Sequence, residues 1–228
     1  MNYLLTSCMF LLFCSLFNSA NALADMLSDS ATIKDVDGNI YQIVIIGQQK
    51  WMAENLKTTH YNDSTPIIYP GTDNTAWSIN VTGAYAWYNN DETAYRDTYG
   101  ALYNWYAVNT GKLCPAGWHV PSEAEWTILF NHLGGGYQAG GKFKKDGTVH
   151  WNTPNIEATN ESGFTALPGG GRDFSGRFFE IGSLGRWGSS SEYDNRYVWG
   201  IGVFYSHSSV HRGVHFKEGG VSIRCVKN

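Results

Sequence analysis

The feature that most constrains this chain is a pair of cysteines framing its second half. Cys114 lies in Cys114-Pro115-Ala116-Gly117-Trp118-His119-Val120-Pro121, and Cys225 in Val221-Ser222-Ile223-Arg224-Cys225-Val226. Two further cysteines, Cys8 and Cys14, fall in the first 24 residues, which hold no Asp, Glu, Lys or Arg, run apolar over 3–17 and end in two A-x-A sites, Ala20-Asn21-Ala22 and Ala22-Leu23-Ala24. This reads as a secretory signal peptide over residues 1–24, removed after export. Its apolar core is shorter than the ~20 residues a spanning helix needs. Cys114 and Cys225 are then the two thiols left in an exported chain, and they are expected to pair. Such a bridge closes a loop of about 110 residues, worth up to about 4.7 kcal/mol by the loop-entropy argument.

Leu5-Thr6-Ser7-Cys8 matches the small-residue pattern before a lipidated cysteine, but the apolar run lies mostly after Cys8, and Cys14 follows the bulky Phe13. A lipid anchor is not expected. The mature chain has no second apolar stretch, so no transmembrane segment is expected in it; a monomer is expected, secreted, at the cell surface or in the periplasm. A net charge of -4 argues against nucleic acid or an anionic membrane as partner, since both call for a basic face. With 26 glycines, 9 tryptophans and 14 tyrosines against 16% charged residues, the composition suits a loop-rich secreted domain packed by aromatic rings.

Residues 25–34 read as a polar tether, with order beginning at Asp35. Asp37-Gly38-Asn39 makes a turn, and Tyr41-Gln42-Ile43-Val44-Ile45-Ile46 followed by Lys50-Trp51-Met52 predicts a hairpin with Trp51 toward the core. Residues 58–97 show little periodicity and read as a long ordered loop. Leu102, Trp105 and Tyr106 share one face of a first helix ended by Gly111. Ser122-Glu123-Ala124-Glu125 is a capping box that opens a second helix with Trp126, Leu129, Phe130 and Leu133 as its buried stripe. Glu123 and Glu125 there oppose the helix dipole and are not read as a catalytic pair. A short helical turn is expected around residues 139–143. Gly169-Gly170-Gly171 has neither a following Lys-Ser or Lys-Thr nor a helix behind it, which excludes a P-loop. The last third predicts a three-strand meander over 197–205, 210–216 and 221–225, with Gly200 and Gly202 marking bending or close backbone approach.

Taken in order, Asp37-Gly38-Asn39-Ile40-Tyr41, Gln49-Lys50-Trp51-Met52-Ala53-Glu54-Asn55-Leu56, Tyr99-Gly100-Ala101-Leu102-Tyr103-Asn104-Trp105, the Cys114 segment, Asn160-Glu161-Ser162-Gly163-Phe164, Leu167-Pro168-Gly169-Gly170 and Ser222-Ile223-Arg224-Cys225 resemble the Fibrobacter succinogenes major paralogous domain family. That family is similar in layout to C-type-lectin-like domains. The resemblance implies an α+β fold over residues 35–228, two helices and a loop-rich antiparallel sheet stapled near its termini. It implies a bacterial secreted or surface domain without an assigned reaction, and so a fold more than a function.

The function expected is a noncatalytic binding or structural module whose ligand is a glycan or a surface protein. Rings stack on sugar faces and short polar side chains bond hydroxyls, which makes Trp77, Trp87, Arg172, Asp173, Trp187, Glu192, Tyr193 and Asp194 the candidates. Calcium-binding C-type lectins carry carboxylates where this chain has Thr153-Pro154-Asn155 and Trp151-Asn152-Thr153, so their site is not expected. Glu192, Asp194 and Asn195 remain as alternative calcium ligands; otherwise no cofactor is expected. An enzyme elaborated on a formylglycine-generating-enzyme-like fold is the alternative, but its chemistry needs a reactive cysteine pair, and both mature thiols are assigned to the bridge. His211 and His215 share a strand face, yet their Cα atoms would stand ~13 Å apart. One ion cannot join them, and together with His207 they read as outward-facing polar residues.

Overall fold

A computed structural model describes residues 32–228. The signal peptide, its cleavage sites, Cys8, Cys14 and most of the tether lie outside the described residues. Residues 32–34 are not tether but β1 (Thr32–Lys34), so order begins ahead of Asp35. The β-branched run forms β2 (Ile40–Ile46) and returns as β3 (Gln49–Met52), with Val44 opposite Trp51. Trp51 is fully buried, as its place in the hairpin requires.

Residues 58–97 are more regular than their sequence suggests. They contain α1 (Asn74–Ser78), capped by Asp73, β4 (Tyr85–Ala86), and α2 (Glu92–Tyr99), capped by Asp91. None of the residues of α2 is buried, so it has no buried stripe from which periodicity could reveal it. Its cap and the Glu92–Arg96 pair four residues apart support it instead. The helix expected at Leu102 is split: Leu102–Tyr103 form β5, and only α3 (Trp105–Val108) is helical. Strand pairing overrides helical spacing there, because Tyr103 is held between Tyr85 and Val221.

After β6 (Trp118–His119) comes α4 (Glu123–His132), whose capping box forms as expected: Glu125 N donates to Ser122 Oγ at 3.3 Å and Ser122 N donates to Glu125 Oε2 at 2.8 Å. Trp126, Leu129, Phe130 and Leu133 are buried. Glu123 pairs with Arg212 and Glu125 meets His119, so both carboxylates serve structure. There follow α5 (Ala139–Phe143), a small hairpin of β7 (Gly171–Arg172) and β8 (Phe178–Phe179), then β9 (Leu184–Glu192), β10 (Tyr197–Phe204), β11 (Val210–Phe216), β12 (Val221–Ser222) and β13 (Val226–Lys227). In the glycine triplet, a Cβ on Gly170 would lie 2.2 Å from the Phe179 carbonyl oxygen, so close packing accounts for that glycine.

The sheets run β1-β2-β3-β13-β6 and β11-β10-β9-β12-β5-β4. The C-terminal meander is therefore β9-β10-β11, and β12 does not follow β11 in it but crosses to the far side of β9, where it pairs in parallel. Strand β9 escapes sequence reading because two glycines and three serines dilute its pattern. Cys114 and Cys225 are bonded, with Cα atoms 6.0 Å apart, and tie the segment before β6 to the chain between β12 and β13. Two aromatic clusters fill the core, one around Trp51, Trp126, Phe164 and Trp187, the other around Tyr41, Trp87, Tyr103 and the bridge. The architecture is mixed α/β, with few helices and mostly antiparallel sheets. No helix among the described residues is long and apolar enough to cross a membrane.

Candidate ligand-binding groove

Alternation along β10 sends Ile201 and Val203 into the core with Trp187 and places Gly200 and Gly202 on the opposite face. Register then decides what surrounds them. Gly202 lies between Arg186 of β9 and His211 of β11, and Gly200 lies between Gly188 and Gly213. Glycines leave the floor of this face without side chains; a Cβ on Gly213 would meet nothing within 4 Å. A hollow of about 220 Å³ lies over this floor, lined among others by Arg186, Phe204, His211 and Glu180. A second, of about 180 Å³, continues past Arg186 to His215, Arg172, Phe174 and Tyr197. A third, of about 320 Å³, shares Phe174 and Phe216 with the second and reaches Asn195 and Arg196. The three adjoin in series, the first two at Arg186 and the last two at Phe174 and Phe216, and together they are called the groove.

The polar groups of the middle hollow are incompletely paired. Arg186 has no hydrogen bond or ion pair among the described residues, and burial lowers its pKa while Glu180 acts the other way. His215 is buried; its Nδ1 lies 3.1 Å from the Phe216 carbonyl oxygen, and its Nε2 has no partner. Burial, reinforced by the Arg186 charge, pushes its pKa down to about 3, so the ring is neutral and Nε2 is a bare acceptor. Arg172 donates from Nε to Gly176 O at 2.9 Å and from Nη2 to Gly71 O and Asn74 Oδ1, while its buried Nη1 has no partner. Burial lowers its pKa to about 10, which leaves it charged at neutral pH. Burial alone would raise the Asp173 carboxyl, but hydrogen bonds from Ser175 and Arg177 outweigh that and hold its pKa low.

Of the residues singled out in the sequence, Arg172 and Asp173 line this groove. Trp77 supports it from below: its ring is fully buried 4.4 Å from the Arg172 guanidinium, and its Nε1 donates to Asp173 O. Trp87 and Trp187 are buried as well, so none of the three tryptophans presents a face on which a sugar could stack. Trp187 Nε1 instead donates to Asn55 Oδ1 at 2.8 Å. Glu192 pairs with the buried Lys217, and Asp194 Oδ1 accepts from Arg196 N and Tyr197 N in the turn before β10. Tyr193 is exposed and packs edge-on against Trp199. Asn195 lines the outer hollow, and no cluster of three or more metal-ligating His, Cys, Asp or Glu exists among the described residues. His215, expected to face outward, is buried, whereas His207 and His211 come together. The sequence gives no direct sign of Arg186, Phe174 or Phe216 as groove residues, and of His215 only the reading as an outward-facing polar residue. The alternating pair Gly200 and Gly202 was their only signal.

The family model of the Fibrobacter succinogenes major domain matches residues 44–227. This chain belongs to that family. No curated protein and no solved structure matches it. Within this Fibrobacter succinogenes major domain, the motifs around Asn55, Phe164 and Arg224 converge on a single buried knot. Arg224 donates to Asn55 Oδ1 and to the carbonyls of Phe164 and Thr165, and it stacks 3.8 Å from the Phe164 ring. The knot holds the loop at Phe164 against β12 and β9, and so braces the sheet that carries the groove. The disulfide is a bond of oxidising compartments, consistent with an extracytoplasmic domain.

Proposed function

We propose that this domain is a secreted or surface-attached, noncatalytic binding module whose ligand is an acidic glycan held in the groove. The observation that carries this reading is the Arg186 guanidinium, charged, half-buried and without a partner beside the unpaired Arg172 Nη1 and His215 Nε2. A charge withdrawn from water without a partner costs stability, and a bound anion would remove that cost. Guanidinium forks match a carboxylate or sulfate in two parallel hydrogen bonds. The bare His215 Nε2 accepts from a hydroxyl, which favours a polyhydroxylated acid over a simple anion. Phe174, 50% exposed at the rim, offers a ring face to a sugar. The middle hollow is smaller than the roughly 300–1,000 Å³ of drug-sized pockets and suits a single sugar unit.

The bridge, which uses both Cys114 and Cys225, supports the absence of thiol chemistry. The capped helix α4 and the disulfide near the C-terminus support a C-type-lectin-like layout, which we include in the proposal, as we do a monomeric state. Isothermal titration of trigalacturonate and of neutral galactotriose against the purified protein tests the function. Binding of the acidic sugar alone, weakened about tenfold or more in Arg186→Gln, is expected. Equal binding of both sugars, or an affinity unchanged in Arg186→Gln, would sink the reading. Turnover of the acidic sugar would remove its noncatalytic part, and Arg186-dependent capture of an acidic peptide in place of the sugar would replace the ligand class.

A further inference from the structure

Strand β10 ends at Phe204, and the connection to β11 carries His207 at its middle and His211 just inside the next strand. The two imidazoles converge at a tilt of 48°, with centroids 4.8 Å and Nε2 atoms 3.2 Å apart. As a hydrogen bond between the rings it lies at the long end of the usual range of about 2.7–3.2 Å. As the bite of a chelate it fits: two nitrogens each about 2.0–2.1 Å from a tetrahedral Zn²⁺ stand about 3.3 Å apart. Both rings are oriented by the same neighbour, Phe204, whose centroid lies 5.3 Å from His207 and 5.2 Å from His211. Ser209 Oγ sits 2.9 Å from His207 Nδ1, the outer hydrogen bond that ligating histidines use to fix their tautomer. Lys144 Nζ donates to the His207 carbonyl as well as to those of Ile156 and Phe204, which anchors the backbone of the turn.

We propose that His207 and His211 form a two-histidine site for a divalent transition-metal ion, Zn²⁺ or Cu²⁺, with the remaining positions open to water or to an acidic ligand group. Imidazole nitrogens without a carboxylate select these borderline ions over the oxygen-seeking Ca²⁺ and Mg²⁺. His211 also lines the hollow it shares with Arg186 across Gly202, so the ion would sit at one end of the groove. The site does not depend on the glycan reading, because its two ligands are placed by the β10–β11 connection alone.

Titration calorimetry and native mass spectrometry of untagged, EDTA-stripped protein with CuSO₄ and then ZnCl₂ test this site. One ion per chain is expected, with no binding of CaCl₂ or MgCl₂. His207→Gln and His211→Gln should each weaken Cu²⁺ about tenfold or more, and the double variant should abolish the event. Far-ultraviolet circular dichroism with metal absent should be the same for all variants, which separates lost ligation from lost fold. Nitrogen hyperfine structure from two imidazoles in the electron spin resonance of the Cu²⁺ complex should be present in the parent protein. The proposal is overturned by the absence of any bound ion, or by binding undiminished in the double variant, which would place the ion on other histidines. Glycan titrations run in EDTA remain interpretable whichever result is found.

Discussion

Two arginines of the same domain, one buried and one half-buried, meet opposite fates. Arg224 is 1% exposed and has its donors engaged by Asn55 and the carbonyls of Phe164 and Thr165, with an aromatic ring against its plane. Burial lowers its pKa to about 9, partly offset by Glu54, which leaves it charged at neutral pH with three acceptors around it. Arg186, on the other face of the same sheet region, finds no acceptor among the described residues. The difference separates a charge whose hydrogen bonds hold the fold together from one that lines the groove with only the electrostatic pull of Glu180 on it.

That contrast can be broken at either arginine. Replacing Arg224 with Met leaves the buried carbonyls of Phe164 and Thr165 unpaired, while Asn55 Oδ1 keeps its bond from Trp187, and should cost about 2–4 kcal/mol in urea unfolding. Equal stability in Arg224→Met and the parent would erase the distinction. Of similar size is the bridge beside Arg224: Cys114→Ser with Cys225→Ser should cost about 2–4 kcal/mol, read by the same method. The groove side has a pH signature of its own. His215 is held neutral when folded, with a pKa of about 3, against about 6.5 in an unfolded chain, so the unfolded state takes up the proton first as pH falls. Its contribution is fully present above about pH 6.5 and is lost progressively toward pH 3. The fall in stability between pH 6.5 and 4.5 should be shallower in His215→Gln, compared by urea midpoints across that range.

The smallest effects on stability are expected in the groove itself. Arg186→Met should change stability by no more than about 1 kcal/mol, and in the favourable direction, while removing binding of the acidic sugar. Gly213→Val places two methyl groups into open space and should leave stability within about 0.5 kcal/mol of the parent while blocking the groove. A large loss of stability in either variant would show that the groove residues serve the fold after all.

The sequence made some of this legible and hid the rest for identifiable reasons. Ser122 and Glu125 announce α4 because capping is a contact between residues three apart. The hairpin of Ile40–Ile46 and Gln49–Met52 announces itself through β-branched density and a short turn. By contrast α2 is hidden because no part of it is buried, and Leu102–Tyr103 reads as helix because apolar spacing cannot register the strands that will flank it. Trp77, Trp87 and Trp187 looked like ligand rings from composition alone, and only packing shows them buried.

By itself, then, the sequence determined the paired cysteines, the capped helix, the first hairpin and the family, all carried by neighbouring residues or by a thiol pair with no other partner. Tertiary structure alone decided the groove. Arg186, Gly202 and His211 become neighbours only through the register of β9 and β11 on β10, and His207 meets His211 only through the turn between β10 and β11. A side chain's neighbours across a sheet depend on that register, where a slip of one residue turns every side chain to the opposite face.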